Sequence, residues 1–95
     1  MLRYRGIVLD IENKTAEMDG ETLQFSKLEF ELLSLFLQNP GKLYSRDRLL
    51  SLCWPENVVV LDRTVDVSIA RLRKKIGHYG AHIRSRVGFG YCWEG

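Results

Sequence analysis

Leu61-Asp62-Arg63-Thr64-Val65-Asp66-Val67-Ser68-Ile69-Ala70-Arg71-Leu72-Arg73-Lys74-Lys75-Ile76 decides how this chain reads, because its two sides differ in chemistry. At about 100° per residue, Val65, Ile69, Leu72 and Ile76 fall on one side of a helix; Arg63, Val67, Ala70, Arg71 and Lys74 fall on the other. The spacing predicts a helix capped by Asp62 and stopped at Gly77, with one face in a core and a basic face turned outward. Asp66 is placed on its flank, beside Arg63 and Arg73.

Two more helices precede it. Ser26-Lys27-Leu28-Glu29 fits a capping box, after which Leu28, Leu32, Leu35 and Phe36 recur at helical spacing, widened by Leu33 and Leu37. Asn39-Pro40-Gly41 ends that helix. Ser45 caps a shorter one through Leu49, Leu50, Leu52 and Cys53, broken by Trp54-Pro55. Before the helices, residues 6–11, 15–18 and 21–25 read as strands, with Asp19-Gly20 as a hairpin turn. Such a small sheet needs the helices to cover its apolar face. After them, residues 81–87 and 91–93 read as a hairpin turning through Gly88-Phe89-Gly90, with arginines on its first arm.

The chain has 95 residues and 11.0 kDa, 45% of them apolar, enough for one core and one domain over 1–95, with the sheet in 1–25, the helices in 26–76 and the hairpin in 81–93. No apolar run approaches the about 18 residues of a membrane span, and the start lacks the apolar stretch of a signal peptide, so a soluble, cytoplasmic protein is expected. Cys53 and Cys92 have no CxxC spacing and no cluster of histidines around them, which argues against a disulfide scaffold and a metal site. Gly88 and Gly90 do not open a dinucleotide loop, because position 93 is Trp93 and a hairpin follows. No nucleophile elbow, P-loop or HExxH pattern occurs, and His78 and His82 read as surface residues without catalytic partners. Neither an enzyme nor a cofactor is expected.

The net charge of +2 hides an asymmetry. Residues 1–61 hold seven basic against nine acidic residues, whereas residues 62–95 hold seven basic against three acidic. A basic helix face followed by a basic hairpin suits a polyanion. An α-helix fits the major groove of B-DNA, arginine can donate twice to guanine, and Val67 or Ala70 can meet a thymine methyl. A basic face of this kind can also serve an acidic protein surface, and that rival class stays open. Counterion release would separate the two, since only DNA gives a steep dependence of affinity on salt.

Residues 61–76 closely resemble the third helix of the OmpR/PhoB-type winged-helix domain, the effector half of many bacterial two-component response regulators. Leu28-Glu29-Phe30-Glu31-Leu32-Leu33, then Asn39-Pro40-Gly41 with Ser45-Arg46-Asp47-Arg48-Leu49-Leu50, then Gly88-Phe89-Gly90-Tyr91 agree in order and spacing, so the resemblance spans about the whole chain. It implies an α+β winged helix-turn-helix: an N-terminal antiparallel sheet, a three-helix core and a C-terminal β-hairpin wing. The third helix would enter the major groove of double-stranded DNA and the wing the neighbouring minor groove.

Carried onto this chain, the resemblance marks Arg71 and Val67 as base readers. It marks Arg63, Thr64, Ser68, Arg73 and Lys74 as phosphate or mixed contacts, and Trp54 as a neighbour of the DNA backbone that can equally bury its ring. Arg84 and Arg86 would be the wing's contacts. The chain departs from the family in having Arg86-Val87 where Val-Arg is frequent, and Ala70 where a basic residue is common. Residues 55–61 match the loop that in this family can face RNA polymerase. A receiver domain and sensor kinase belong to regulators of this type, and 95 residues cannot also hold the receiver. An excised effector domain is expected, because Leu2 to Ile11 begins at the family's first strand. It is expected to be a monomer alone and a tandem dimer on DNA.

Overall fold

The computed structural model describes residues 1–55 and 60–95. Four antiparallel strands come first, β1 (Leu2–Tyr4), β2 (Ile7–Asp10), β3 (Thr15–Met18) and β4 (Glu21–Leu23), paired in chain order. The sequence led us to expect three. The missed strand, β1, pairs Leu2 with Leu9 and Tyr4 with Ile7, and reverses through Arg5, which takes a φ of 51°. Of the two turn residues only Gly6 is a usual turn former, and arginine seldom takes a positive φ, so the local signal is weak. Period-two alternation is kept: Ile7, Leu9, Ala16 and Met18 are buried, while Thr15 and Glu17 face solvent.

Three helices cover the buried face: α1 (Lys27–Gln38), α2 (Arg46–Cys53) and α3 (Asp62–Lys75). Both serine caps form. Ser26 Oγ accepts from the Glu29 amide at 3.2 Å while the Glu29 carboxylate accepts from the Ser26 amide at 2.8 Å, and Ser45 Oγ accepts from the Arg48 amide at 3.1 Å. Asp62 is not the cap of α3. The chain turns helical one residue earlier than expected, so Leu61, with φ −81° and ψ 154°, holds the cap position and its carbonyl accepts from the Thr64 amide at 2.8 Å without any side-chain cap. The expected faces of α3 are found, with Val65, Ile69 and Leu72 fully buried and Ile76 nearly so.

A 3-10 turn over Gly77–His82 then leads to β5 (Ile83–Arg86) and β6 (Gly90–Trp93). The first arm of the hairpin therefore starts at Ile83, not at residue 81. Residues 81 and 82 instead end the 3-10 turn, whose buried Tyr79 donates to Asp19 Oδ1 at 2.6 Å while accepting from the Gly6 amide at 3.0 Å, locking the turn to the sheet. His82 is likewise no surface residue: it is half-buried, stacks on Trp93 at 5.4 Å, and donates from Nδ1 to the Glu94 carbonyl at 2.7 Å.

The hairpin is anchored rather than pendant. Tyr44, just before α2, exchanges two backbone hydrogen bonds with Tyr91, at 2.8 and 2.9 Å, and the Gly41 amide donates to the Trp93 carbonyl at 2.7 Å. Gly90 sits at this seam with a φ of +139°, and a Cβ there would run into the Tyr44 carbonyl. Tyr91, Cys92 and Trp93 are all buried, so β6 belongs to the interior and β5 forms the outer edge.

Candidate nucleic-acid interface

Fourteen residues make α3 about 21 Å long, and its outward face is the one the sequence marked. Arg63, Ala70, Arg71 and Lys74 are exposed and Val67 is 47% exposed, with Thr64 and Ser68 half-buried at the rim. Among the described residues, Arg63, Arg71 and Lys74 have neither a hydrogen-bond nor an ion-pair partner. Three cations and an apolar side chain thus lie along about 16 Å of helix with their donors unspent.

Arg73 is arranged differently. Its Nε and one terminal nitrogen donate to the Ile83 carbonyl at 3.0 and 2.7 Å, the same terminal nitrogen reaches Ser85 Oγ at 2.9 Å, and the guanidinium lies over the Tyr91 ring at 5.5 Å. It clamps the first strand of the hairpin to α3. Between the two elements runs an open groove of about 650 Å³, lined by Arg73, Lys74, Gly77, Ile83, Arg84 and Ser85. Its walls carry three cations.

Asp66 takes its partners from other elements rather than from Arg63 or Arg73, the neighbours its place on the helix suggested. It accepts from Arg46 Nε of α2 at 2.9 Å and from the Tyr91 hydroxyl of β6, joining both helices of the helix-turn-helix to the hairpin. Those two donors, Arg46 first, hold its carboxyl below the usual carboxylate range. Arg84 and Arg86 share one partner, Glu94, at 3.6 and 2.8 Å, and all three side chains remain well exposed. The hairpin tip, Val87-Gly88-Phe89, presents two apolar side chains, 94% and 69% exposed.

Trp54 ends α2 as its cap, its amide donating to the Leu50 carbonyl at 3.1 Å, and its half-buried ring packs on the core near Lys27 and Leu28 of α1. Of the loop matched to polymerase contact, residues 56–59 lie outside the described residues. Cys53 is a poor nucleophile, since burial first and Glu31 second push its thiol up to about 11. Among the described residues there is no group of three or more His, Cys, Asp or Glu fit to hold a metal, and no helix is long and apolar enough to cross a membrane.

The structure therefore brings Arg63, Val67, Arg71 and Lys74 onto one surface with Thr64 and Ser68 at its rim, sets Arg84 across the groove from Lys74, and leaves Trp54 beside α1. Sequence reasoning missed Arg46, Asp66 and Tyr91 as a positioning network, and Glu94 as the partner of the wing arginines. Arg46 and Asp66 stand 20 positions apart, beyond any local periodicity.

Residues 20–93 match the family model described as "Transcriptional regulatory protein, C terminal". The phosphate regulon transcriptional regulatory protein PhoB of Escherichia coli K12 is 38% identical over 93 residues, which are 96% of this chain and 41% of that protein. The chain thus spans about two fifths of the length of that relative. Among solved structures, the DNA-binding domain of the response regulator AdeR in complex with an intercistronic region superposes with a TM-score of 0.86 at 26% identity, covering 97% of each chain. The Klebsiella pneumoniae RstA DNA-binding domain in complex with the RstA box gives 0.83 at 28% identity, covering 98% of this chain and 95% of that one.

Proposed function

We propose that this chain, which belongs to the OmpR/PhoB-type family of C-terminal domains of transcriptional regulatory proteins, binds double-stranded DNA sequence-specifically as the effector domain of a two-component response regulator. The observation that carries the reading is the outward face of α3, where Arg63, Arg71 and Lys74, without a partner among the described residues, flank the exposed Val67. A helix of this width enters the major groove, and a guanidinium with free donors can grip guanine O6 and N7 together. Arg71 and Val67 are the base readers. Arg63, Thr64, Ser68 and Lys74 hold phosphates, and Arg84 and Arg86 of the wing do so at the adjacent minor groove.

Arg73 serves less as a phosphate contact than as a positioning residue, because its donors already hold the wing at a fixed offset from α3. Trp54 offers at most its indole N–H to the backbone. The domain is not an enzyme, needs no cofactor and acts in the cytoplasm. Residues 55–61 face RNA polymerase, an upstream receiver domain answers a sensor kinase, and isolated monomers pair in tandem only on DNA.

A salt titration tests the reading. The four cationic phosphate contacts, Arg63, Lys74, Arg84 and Arg86, predict a slope of log K against log salt of about −3 to −4 per bound domain. A nearly flat slope would assign the basic face to an acidic protein surface instead.

A further inference from the structure

The tip of the wing is chemically unlike the rest of the basic surface. Arg86 pairs with Gly90 across the hairpin, and the Phe89 amide donates to the Arg86 carbonyl at 2.8 Å, closing a three-residue turn that Gly88 permits with a φ of 83°. The crown holds no charge. Val87 is 94% and Phe89 69% exposed, and neither belongs to the core cluster or to its half-buried rim. Below the crown stand Arg84 and Arg86, on one face of β5, both turned onto Glu94. The base is stiff, held by the Tyr44–Tyr91 bridge, the Arg73 clamp and the Asp66–Tyr91 bond.

We propose that Val87 and Phe89 form an apolar wedge that the wing presses into the minor groove, with Phe89 as a specificity-determining residue that selects a deformable base step. The inference rests on the DNA-binding reading above. An exposed phenyl ring costs free energy in water, and apolar side chains set against base steps in the minor groove unstack and kink them. That cost is lowest at pyrimidine–purine steps such as TA or CA, so the wedge reads sequence without a base-edge hydrogen bond.

Charge and continuity favour DNA over a protein partner. Two apolar side chains standing above Arg84 and Arg86 on the hairpin fall far short of the about 800 Å² per partner of a stable protein interface, whose centre is depleted of charge. The cationic groove between α3 and β5, lined by Lys74 and Arg84, runs along the same arm of the hairpin as far as Ser85, two residues short of the crown. On contact, Arg84 and Arg86 exchange the Glu94 carboxylate for phosphates flanking the wedge.

The test uses the duplex that this chain enriches from a random library, carrying 2-aminopurine at successive positions beside the footprint of α3. Binding of the unaltered chain should raise the fluorescence at one step, and replacing a TA step there by GC should weaken binding about tenfold. Phe89→Ala should abolish both effects, whereas Phe89→Leu, still an apolar wedge, should keep most of each. Because Phe89 lies outside the core, neither variant should alter the thermal midpoint. If Phe89→Ala binds with the same step preference and fluorescence, the wedge is refuted while the DNA-binding reading stands. If Phe89→Ala loses only cooperative occupation of tandem sites, the crown contacts protein and the wedge is likewise refuted. Failure of the unaltered chain to bind any duplex would remove the underlying reading and the wedge together.

Discussion

Arg73 of α3 spends both its Nε and a terminal nitrogen on one acceptor, the carbonyl of Ile83, at 3.0 and 2.7 Å. This bond fixes the angle between the helix and the wing. Lysine has a single donor centre and cannot reproduce the fork. Arg73→Lys should therefore cost about 1.5–3 kcal/mol of folding stability by urea denaturation. It should also raise amide exchange in residues 83–86 and weaken DNA binding without changing which base pairs are preferred.

Arg71 and Lys74 are both exposed and have no partner among the described residues, yet they should behave differently. Lys74, beside the groove, is a point charge suited to phosphate: Lys74→Ala should weaken binding to all duplexes alike and reduce the salt slope by about 1. Arg71, two turns beyond Arg63 on the same face, should carry base information. Fluorescence anisotropy over a salt series, with matched and mismatched duplexes, separates the two behaviours.

Acid should loosen the site before neutral pH does. The carboxyl of Asp66 lies below its ordinary value because of Arg46 and Tyr91, and that of Asp19 does so because of Tyr79 and His78. A group whose folded-state pKa is depressed contributes stability that is complete above its unfolded pKa and is lost as pH falls through the folded one. Stability should thus be flat above about pH 5 and decline below about pH 4. Asp66→Asn should flatten part of that decline in denaturation curves recorded from pH 7 to pH 2. An unchanged acid slope would mean that the ion pair contributes nothing, as exposed pairs often do.

Gly90 tests the seam between the wing and the α1–α2 connection. Its φ of +139° is strained for any other residue, and a Cβ would meet the Tyr44 backbone, which cannot swing aside as a side-chain end could. Gly90→Ala should cost about 3 kcal/mol or more, read as a thermal midpoint lower by at least 10 °C or so. Gly41→Ala, also at positive φ but in open space, should cost less.

The faces of α3 and both serine caps were legible because they depend on neighbours within one or two helical turns. Val65, Ile69, Leu72 and Ile76 announce burial by spacing alone, and Ser26 with Glu29 announces a helix start. What stayed hidden was non-local or conformationally unusual. The reversal at Arg5 uses a residue that rarely takes positive φ, and the 3-10 turn exists because Tyr79 reaches Asp19, 60 positions away. The same limit governs the interface. The exposed arginines of α3 could be named from the sequence, but the turning of Arg73 onto Ile83, and of Arg84 and Arg86 onto Glu94, needed the fold.

Whether the outward face of α3 reads base pairs through Arg71 is decided by selection from a random duplex library at about physiological salt, run in parallel with Arg71→Ala. The unaltered chain should enrich a motif. The variant should lose preference at one base pair of that motif and about 1–3 kcal/mol of affinity, while the other positions persist. An identical motif from both proteins, or a uniform loss across all sequences, would contradict that reading and make Arg71 a phosphate anchor.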